Sequence, residues 1–190
     1  MNVNEALNES KKILPATRYE HVERVVHTAT ELAKRFNGDE FKVGLAAALH
    51  DYAKAIDVDI LRKWIVKHID LPKDLLNYSH MLWHGPVGAK MVQYKFEIDD
   101  TDIVNAIYWH TTGRAHMSLT EKIVFLADYI EPGRDFPAVY KARELANHHL
   151  DQACHYTLRE TIQFLMDKNE TIYPDTFHAY NYFTLKLKDK

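Results

Sequence analysis

The chain has 190 residues, 46% of them hydrophobic, enough for one domain with a proper core. A net charge of −3 and a pI of about 6.4 argue against a dedicated nucleic-acid binder, which carries a basic patch and a high pI, though not against a small anionic ligand. One cysteine, Cys154, leaves no internal disulfide and no cysteine-based metal site; it reads as a small core residue and fits a reducing cytoplasm.

Met1-Asn2-Val3-Asn4-Glu5 lacks the basic and apolar regions of a signal peptide, and no apolar run approaches the ~18 residues of a membrane span. The 6 glycines and 6 prolines are few, which favours helices over a turn-rich β fold, and the 12 histidines are the anomaly of the composition.

Residues 4–14 read as an amphipathic helix stopped by Pro15. Thr17-Arg18-Tyr19-Glu20 has the pattern of a capping box, opening a helix to about Asn37 with Gly38 as its C′ residue. Val22, Val25, Val26, Ala29, Leu32, Ala33 and Phe36 form that helix's apolar stripe, and His21 lies four residues before Val25, so it should look inward. Asp39 is placed to cap the next helix, whose run Val43–Leu49 has no polar side chain and ends in His50-Asp51 with Lys54 three residues on. A histidine and a carboxylate at the end of a buried helix are costly to desolvate without a partner, and a divalent Fe, Mn, Co or Zn suits both.

Asp57-Val58-Asp59 opens a helix, and a loop follows around Pro72. His84-Gly85-Pro86 begins another helix, which puts His84 at an N-terminus where amides and dipole favour anions. Asp99-Asp100-Thr101 starts the next, in which Ile103, Ile107 and His110 share a face, so His110 points to the core. Ser118-Leu119-Thr120-Glu121 is a second capping box, and the helix behind it carries Asp128 as the one carboxylate of an apolar run. Helices near 137–147 and 150–168 and a terminal helix after Tyr173-Pro174-Asp175 complete an all-α chain without strand pattern, repeat or linker.

Singly, each of His21, His50-Asp51, His84, His110 and Asp128 has an ordinary account as a satisfied core histidine or a paired acid. Together, a shared metal explains them all. The order His21, His50-Asp51, Asp128 resembles the HD-domain metal-dependent phosphohydrolases, which are all-helical. His50-Asp51-x-x-Lys54, His84-Gly85-Pro86-Val87-Gly88-Ala89, His110-Thr111-Thr112-Gly113, Ala127-Asp128-Tyr129-Ile130-Glu131-Pro132-x-Arg134 and Tyr173-Pro174-Asp175-Thr176 resemble one bacterial branch, the YqeK-type symmetrical bis(5'-nucleosyl)-tetraphosphatases. The resemblance covers about Tyr19 to Tyr182. It implies a single HD-domain helical bundle over residues 1–190, with a core of about 17–135 and C-terminal helices completing a nucleotide pocket.

It also implies a site. His21, His50, Asp51 and Asp128 would hold a divalent metal, iron first, with Mn, Co or Zn as alternatives. His84 and His110 stand where two-metal members bind a second ion and one-metal members contact phosphate, so one or two ions remain open. Asp51 and Lys54 would be catalytic, with Asp51 or His84 managing protons. Lys54, Arg134 and Arg18 would offset phosphate charge, and Thr111, Tyr173 and Asp175 would contact substrate, Tyr173 by stacking on a base. The implied reaction is hydrolysis of diadenosine tetraphosphate to two ADP in the cytoplasm, with no nucleic-acid or membrane partner; a homodimer is compatible with it. Hydrolysis of a nucleoside monophosphate or guanosine tetraphosphate fits the same ligand set, and a non-catalytic nucleotide-binding module is the alternative from another class.

Overall fold

The computed structural model describes residues 1–188 and contains, among them, ten α-helices, two short 3-10 turns and no strand. The all-α expectation holds. Helix α1 (Val3–Ile13) starts from a capping box in which Asn2 accepts the Glu5 amide at 2.9 Å and Glu5 accepts the Asn2 amide at 2.8 Å.

Helix α2 (Ala16–Phe36) departs from expectation at both ends. The Thr17–Glu20 box does not form, because the helix begins earlier: the Pro15 carbonyl accepts from the Arg18 and Tyr19 amides, both at 2.9 Å, and Thr17 already lies inside the first turn. Pro15, at φ −56°, suits this entry because its missing N–H is one the helix start does not use. At the other end Asn37, not Gly38, takes the left-handed conformation at φ 55°. Gly38 leaves space instead: a Cβ there would lie 2.9 Å from Ile123 Cδ1, which would have to shift.

Helix α3 (Glu40–Leu49), capped by Asp39 as expected, is buried from Val43 through Leu49. It is the axis of the fold, with α1, α2, α6 (Thr101–Trp109) and α7 (Leu119–Ile130) packed around it. Small residues allow this: a Cβ on Gly44 would come within 3.1 Å of Val3 on α1, and the buried Ser10 hydroxyl donates to the Ala48 carbonyl at 2.7 Å. Helix α4 (Val58–Lys67) and the 3-10 turns Lys73–Asn77 and His80–Leu82 lead to α5 (His84–Phe96), which packs along α6. The Ser118–Glu121 box is present at the start of α7. Helices α8 (Pro137–Ala146), α9 (Leu150–Asp167) and α10 (Pro174–Lys188) stack on the α7 side, with Cys154 buried among them and its thiol pushed up by burial. One hydrophobic cluster runs from Ala6 to Phe183, and no helix is long and apolar enough to cross a membrane.

Candidate metal centre

Five elements bring six side chains to one end of α3. His21 comes from the second turn of α2, His50 and Asp51 from just past α3, His84 from the first residue of α5, His110 from just past α6, and Asp128 from the last turn of α7. Asp51 is the hub. Its Oδ2 lies 3.2 Å from His50 Nε2 and 3.7 Å from His21 Nε2, and its Oδ1 lies 3.2 Å from His84 Nε2 and 3.8 Å from His110 Nε2. Asp128 Oδ1 is 3.0 Å from His21 Nε2. Three groupings have ligand atoms mutually within 4.8 Å: His21, His50 and Asp51; His50, His110 and Asp128; and Asp51, His84 and His110.

The imidazoles share one orientation. Nδ1 of His50 meets the Ala47 carbonyl at 2.7 Å, Nδ1 of His84 meets that of Met81 at 2.8 Å, and Nδ1 of His110 meets that of Ile107 at 2.8 Å. His21 Nδ1 meets Glu131 Oε1 at 3.1 Å. A carbonyl or carboxylate can only accept, so these partners assign the proton to Nδ1 in all four rings and leave each Nε2 with its lone pair directed inward. His84 Nε2 and His110 Nε2 then face each other at 3.0 Å, a repulsive meeting of two acceptors unless a cation or proton lies between them. Nε2 of His21, Nε2 of His50 and Asp51 Oδ1 are buried without a hydrogen-bond partner, and Asp51 Oδ2 has only an ion-pair contact from Arg18. Orphaned polar atoms of this kind are expensive, and their set of imidazole nitrogens and carboxylate oxygens fits a divalent transition metal.

The electrostatics agree with a cation-seeking site. Burial opposes the charge on Asp51; a proton on His50 or His84 Nε2, in the place a metal ion would take, outweighs it and holds the carboxyl well below the usual range. Burial likewise opposes the charge on Asp128; a proton on His21 Nε2 and positive charge at His50 and Arg134 outweigh it and lower the carboxyl, and a metal ion would stand in for the first. Burial lowers His84, and lowers His110 further with help from His84 and His50, which keeps both neutral and able to ligate. His50 moves the other way: burial lowers it, but adjacent Asp51 wins.

A model of the HD domain matches residues 18–133. The chain belongs to the HD-domain family. It is 44% identical over 182 residues to the symmetrical bis(5'-nucleosyl)-tetraphosphatase of Bacillus subtilis (strain 168), covering 96% of this chain and 97% of that one. With the protein of the same description from Halalkalibacterium halodurans it shares 46% over 188 residues, 99% of this chain and 100% of the relative. The Staphylococcus aureus relative is 40% identical over 194 aligned positions and the whole of both chains. A crystal structure from Clostridium acetobutylicum, described as a "predicted HD superfamily hydrolase involved in NAD metabolism", superposes with a TM-score of 0.91 at 34% identity over 98% of both chains.

Around this HD-domain ligand cluster lie the cations expected from the sequence. Arg18 forms an ion pair with Asp51 Oδ2, Lys54 Nζ is 3.4 Å from His84 Nδ1, and Arg134 donates to the Asp128 carbonyl at 3.0 Å and to Asp128 Oδ1 at 2.6 Å. None is a freely solvated surface charge; burial pulls Lys54 below the usual lysine range despite the nearby Asp51. Thr111 Oγ1 sits 3.1 Å from His110 Nε2. Tyr173 is only 8% exposed and packs edge-on against Tyr78, with ring centroids 5.0 Å apart, so it is a wall rather than an open stacking plate. Asp175 accepts from Trp109 Nε1 at 3.0 Å, which pins the start of α10 beside His110.

Three further contributors have no role assigned from the sequence: Glu131, which stands within the Ala127–Arg134 motif, Arg24 and Trp109. Glu131 is 2% exposed and accepts from His21, from Arg24 Nε at 2.6 Å and from the Gly133 amide at 2.6 Å. Burial works against its charge, and those donors more than offset it, so it stays an ionised acceptor. The available signal was spacing: Glu131 follows Asp128, and Arg24 follows His21, each by three residues, one helical turn.

Proposed function

We propose that this chain hydrolyses diadenosine tetraphosphate and related dinucleoside polyphosphates symmetrically, giving two nucleoside diphosphates. The observation that carries this reading is the likeness, over 97–100% of each relative's length, to three proteins described as symmetrical bis(5'-nucleosyl)-tetraphosphatases. The orphaned inward atoms of His21, His50 and Asp51 support the metal-dependent part.

His21, His50, Asp51 and Asp128 would hold a divalent ion, iron first among those this ligand set suits, and such an ion lowers the pKa of water toward neutrality and stabilises charge on phosphoryl oxygens. We assign His84 and His110, with Asp51, to a second ion, because two facing lone pairs at 3.0 Å attract a cation and repel an anion. Arg18, Lys54 and Arg134 surround the cluster with positive charge where the non-bridging oxygens would lie. Thr111 and the Tyr173–Asp175 segment border the His110 side, where a nucleoside would be contacted. In the reaction, water oxygen bonds to the phosphorus second from one adenosine. The bridge to the third phosphorus breaks, and the bridging oxygen leaves with the second ADP.

The test is hydrolysis of diadenosine tetraphosphate in oxygen-18 water with mass analysis of the products. ADP should be the sole nucleotide product, with one heavy oxygen in one of the two molecules. AMP plus ATP would overturn the symmetrical assignment, and phosphate release from AMP as the only activity would replace it with a nucleotidase. His50→Ala and Asp51→Ala should each lose bound metal and turnover together; full metal occupancy in either sinks the ligand assignment.

A further inference from the structure

His21 differs from the other three imidazoles in what stands behind it. His50, His84 and His110 turn Nδ1 to a carbonyl three residues earlier, at a helix end or turn where such carbonyls are free. His21 lies inside α2, whose carbonyls are occupied by the helix, so its Nδ1 needs an acceptor from elsewhere. Glu131 supplies it from the end of α7, 110 residues away in sequence.

We propose that Glu131, fixed by Arg24 and the Gly133 amide, is a positioning residue that keeps the His21 proton on Nδ1 and turns its bare Nε2 toward Asp51 and Asp128. This rests on the reading of His21 as a metal ligand. The carboxylate itself has little freedom. One oxygen faces His21, and the other takes two short bonds, from Arg24 and from Gly133, at 2.6 Å each. Gly133 leaves room for Arg24: a Cβ there would lie 2.7 Å from both Nε and Nη2 of Arg24 and would shift the guanidinium. Arg143 fastens the same turn from behind, donating to the carbonyls of Ile130 at 2.9 Å, Glu131 at 2.7 Å and Arg134 at 2.9 Å. A carboxylate behind a ligating imidazole fixes its tautomer and raises its basicity toward a metal.

Glu131→Gln tests this with almost no change of shape. The amide has one oxygen for two demands. Arg24 and Gly133, two donors on one side, claim it, and the NH2 group then faces His21 Nδ1. Nδ1 must accept, and the proton moves to Nε2, where a metal would bind. The expected result is an inverted His21 tautomer, read from ring nitrogen-15 shifts in ion-free protein and assigned by its loss in His21→Gln. Affinity for Mn2+, measured by chelator competition, should fall by about 10- to 100-fold, with the thermal melt near that of wild type. Adding Arg24→Gln to Glu131→Gln removes the stronger claim on the oxygen and should restore part of the affinity, whereas two merely structural losses would add. An unchanged tautomer, or unchanged Mn2+ affinity in Glu131→Gln, overturns the proposal and leaves the metal site standing. If wild type binds neither Mn2+ nor Fe2+, the metal reading falls and the tautomer alone decides the role of Glu131.

Discussion

At the scale of residues, the site is made by fixing the back of each ring. An imidazole has two nitrogens, and tying Nδ1 to an acceptor decides what Nε2 presents. The clustered histidines and aspartates were legible because polar side chains at inward positions of apolar helices are anomalous in any sequence. The role of Glu131 was not, because its one-turn spacing from Asp128 does not say that its carboxylate ends behind a histidine on another helix. The half-buried cations follow the same logic. Lys54 is held near His84 without itself belonging to a ligand grouping. Lys54→Ala should therefore keep its metal and slow hydrolysis of diadenosine tetraphosphate by roughly 10- to 100-fold, the loss of one charge-assisted contact of about 1.5–3 kcal/mol. Metal per chain and kcat check this together, and an unchanged kcat removes Lys54 from the phosphate site.

At the scale of elements, helix ends position the chemistry. His50 and His110 both cap apolar helices at their C-terminal ends, and His84 opens one. Their relative placement depends on how closely α5 meets the end of α6. A Cβ on Gly85 would lie 2.7 Å from the Tyr108 carbonyl, so Gly85→Ala must push α5 away and widen the 3.0 Å gap between His84 and His110. We expect a stability loss of about 1–3 kcal/mol in urea unfolding and weaker binding of the ion assigned to His84 and His110. Gly88→Ala, whose Cβ would meet Ala53 Cβ at 3.3 Å, is the milder control. If Gly85→Ala unfolds and binds as wild type does, this contact does not set the geometry. Helix identities and most caps could be read from sequence, since Asp39, Asp57, Asp100 and Ser118 act locally. The start of α2 could not: Thr17 and Glu20 had the right spacing, but Pro15 offered an earlier nucleus.

At the scale of the whole molecule, the C-terminal helices are joined to the ligand-bearing part by charge as well as by packing. Asp151 on α9 meets Lys122 on α7 at 2.8 Å and Lys186 on α10 at 2.9 Å. Burial raises the Asp151 pKa, but the two lysines win and hold it below the usual value. A depressed folded-state pKa contributes stability above the unfolded pKa, and that contribution fades as pH falls through the folded one. Asp151→Asn should thus cost about 1 kcal/mol near pH 7, with the difference from wild type shrinking below about pH 4. Denaturant unfolding across that range checks the sign, and a difference that grows on acidification refutes it.

The rear fastening of the four rings has a further consequence. Three of the acceptors are main-chain carbonyls of the scaffold and the fourth is a carboxylate tied to it, so none of them depends on an ion for its place. Emptying the centre and unfolding the chain are then separate events. Chains treated with a chelator should therefore keep their helical circular dichroism and take the ion up again on its return, and loss of the helical signal on chelation would refute this.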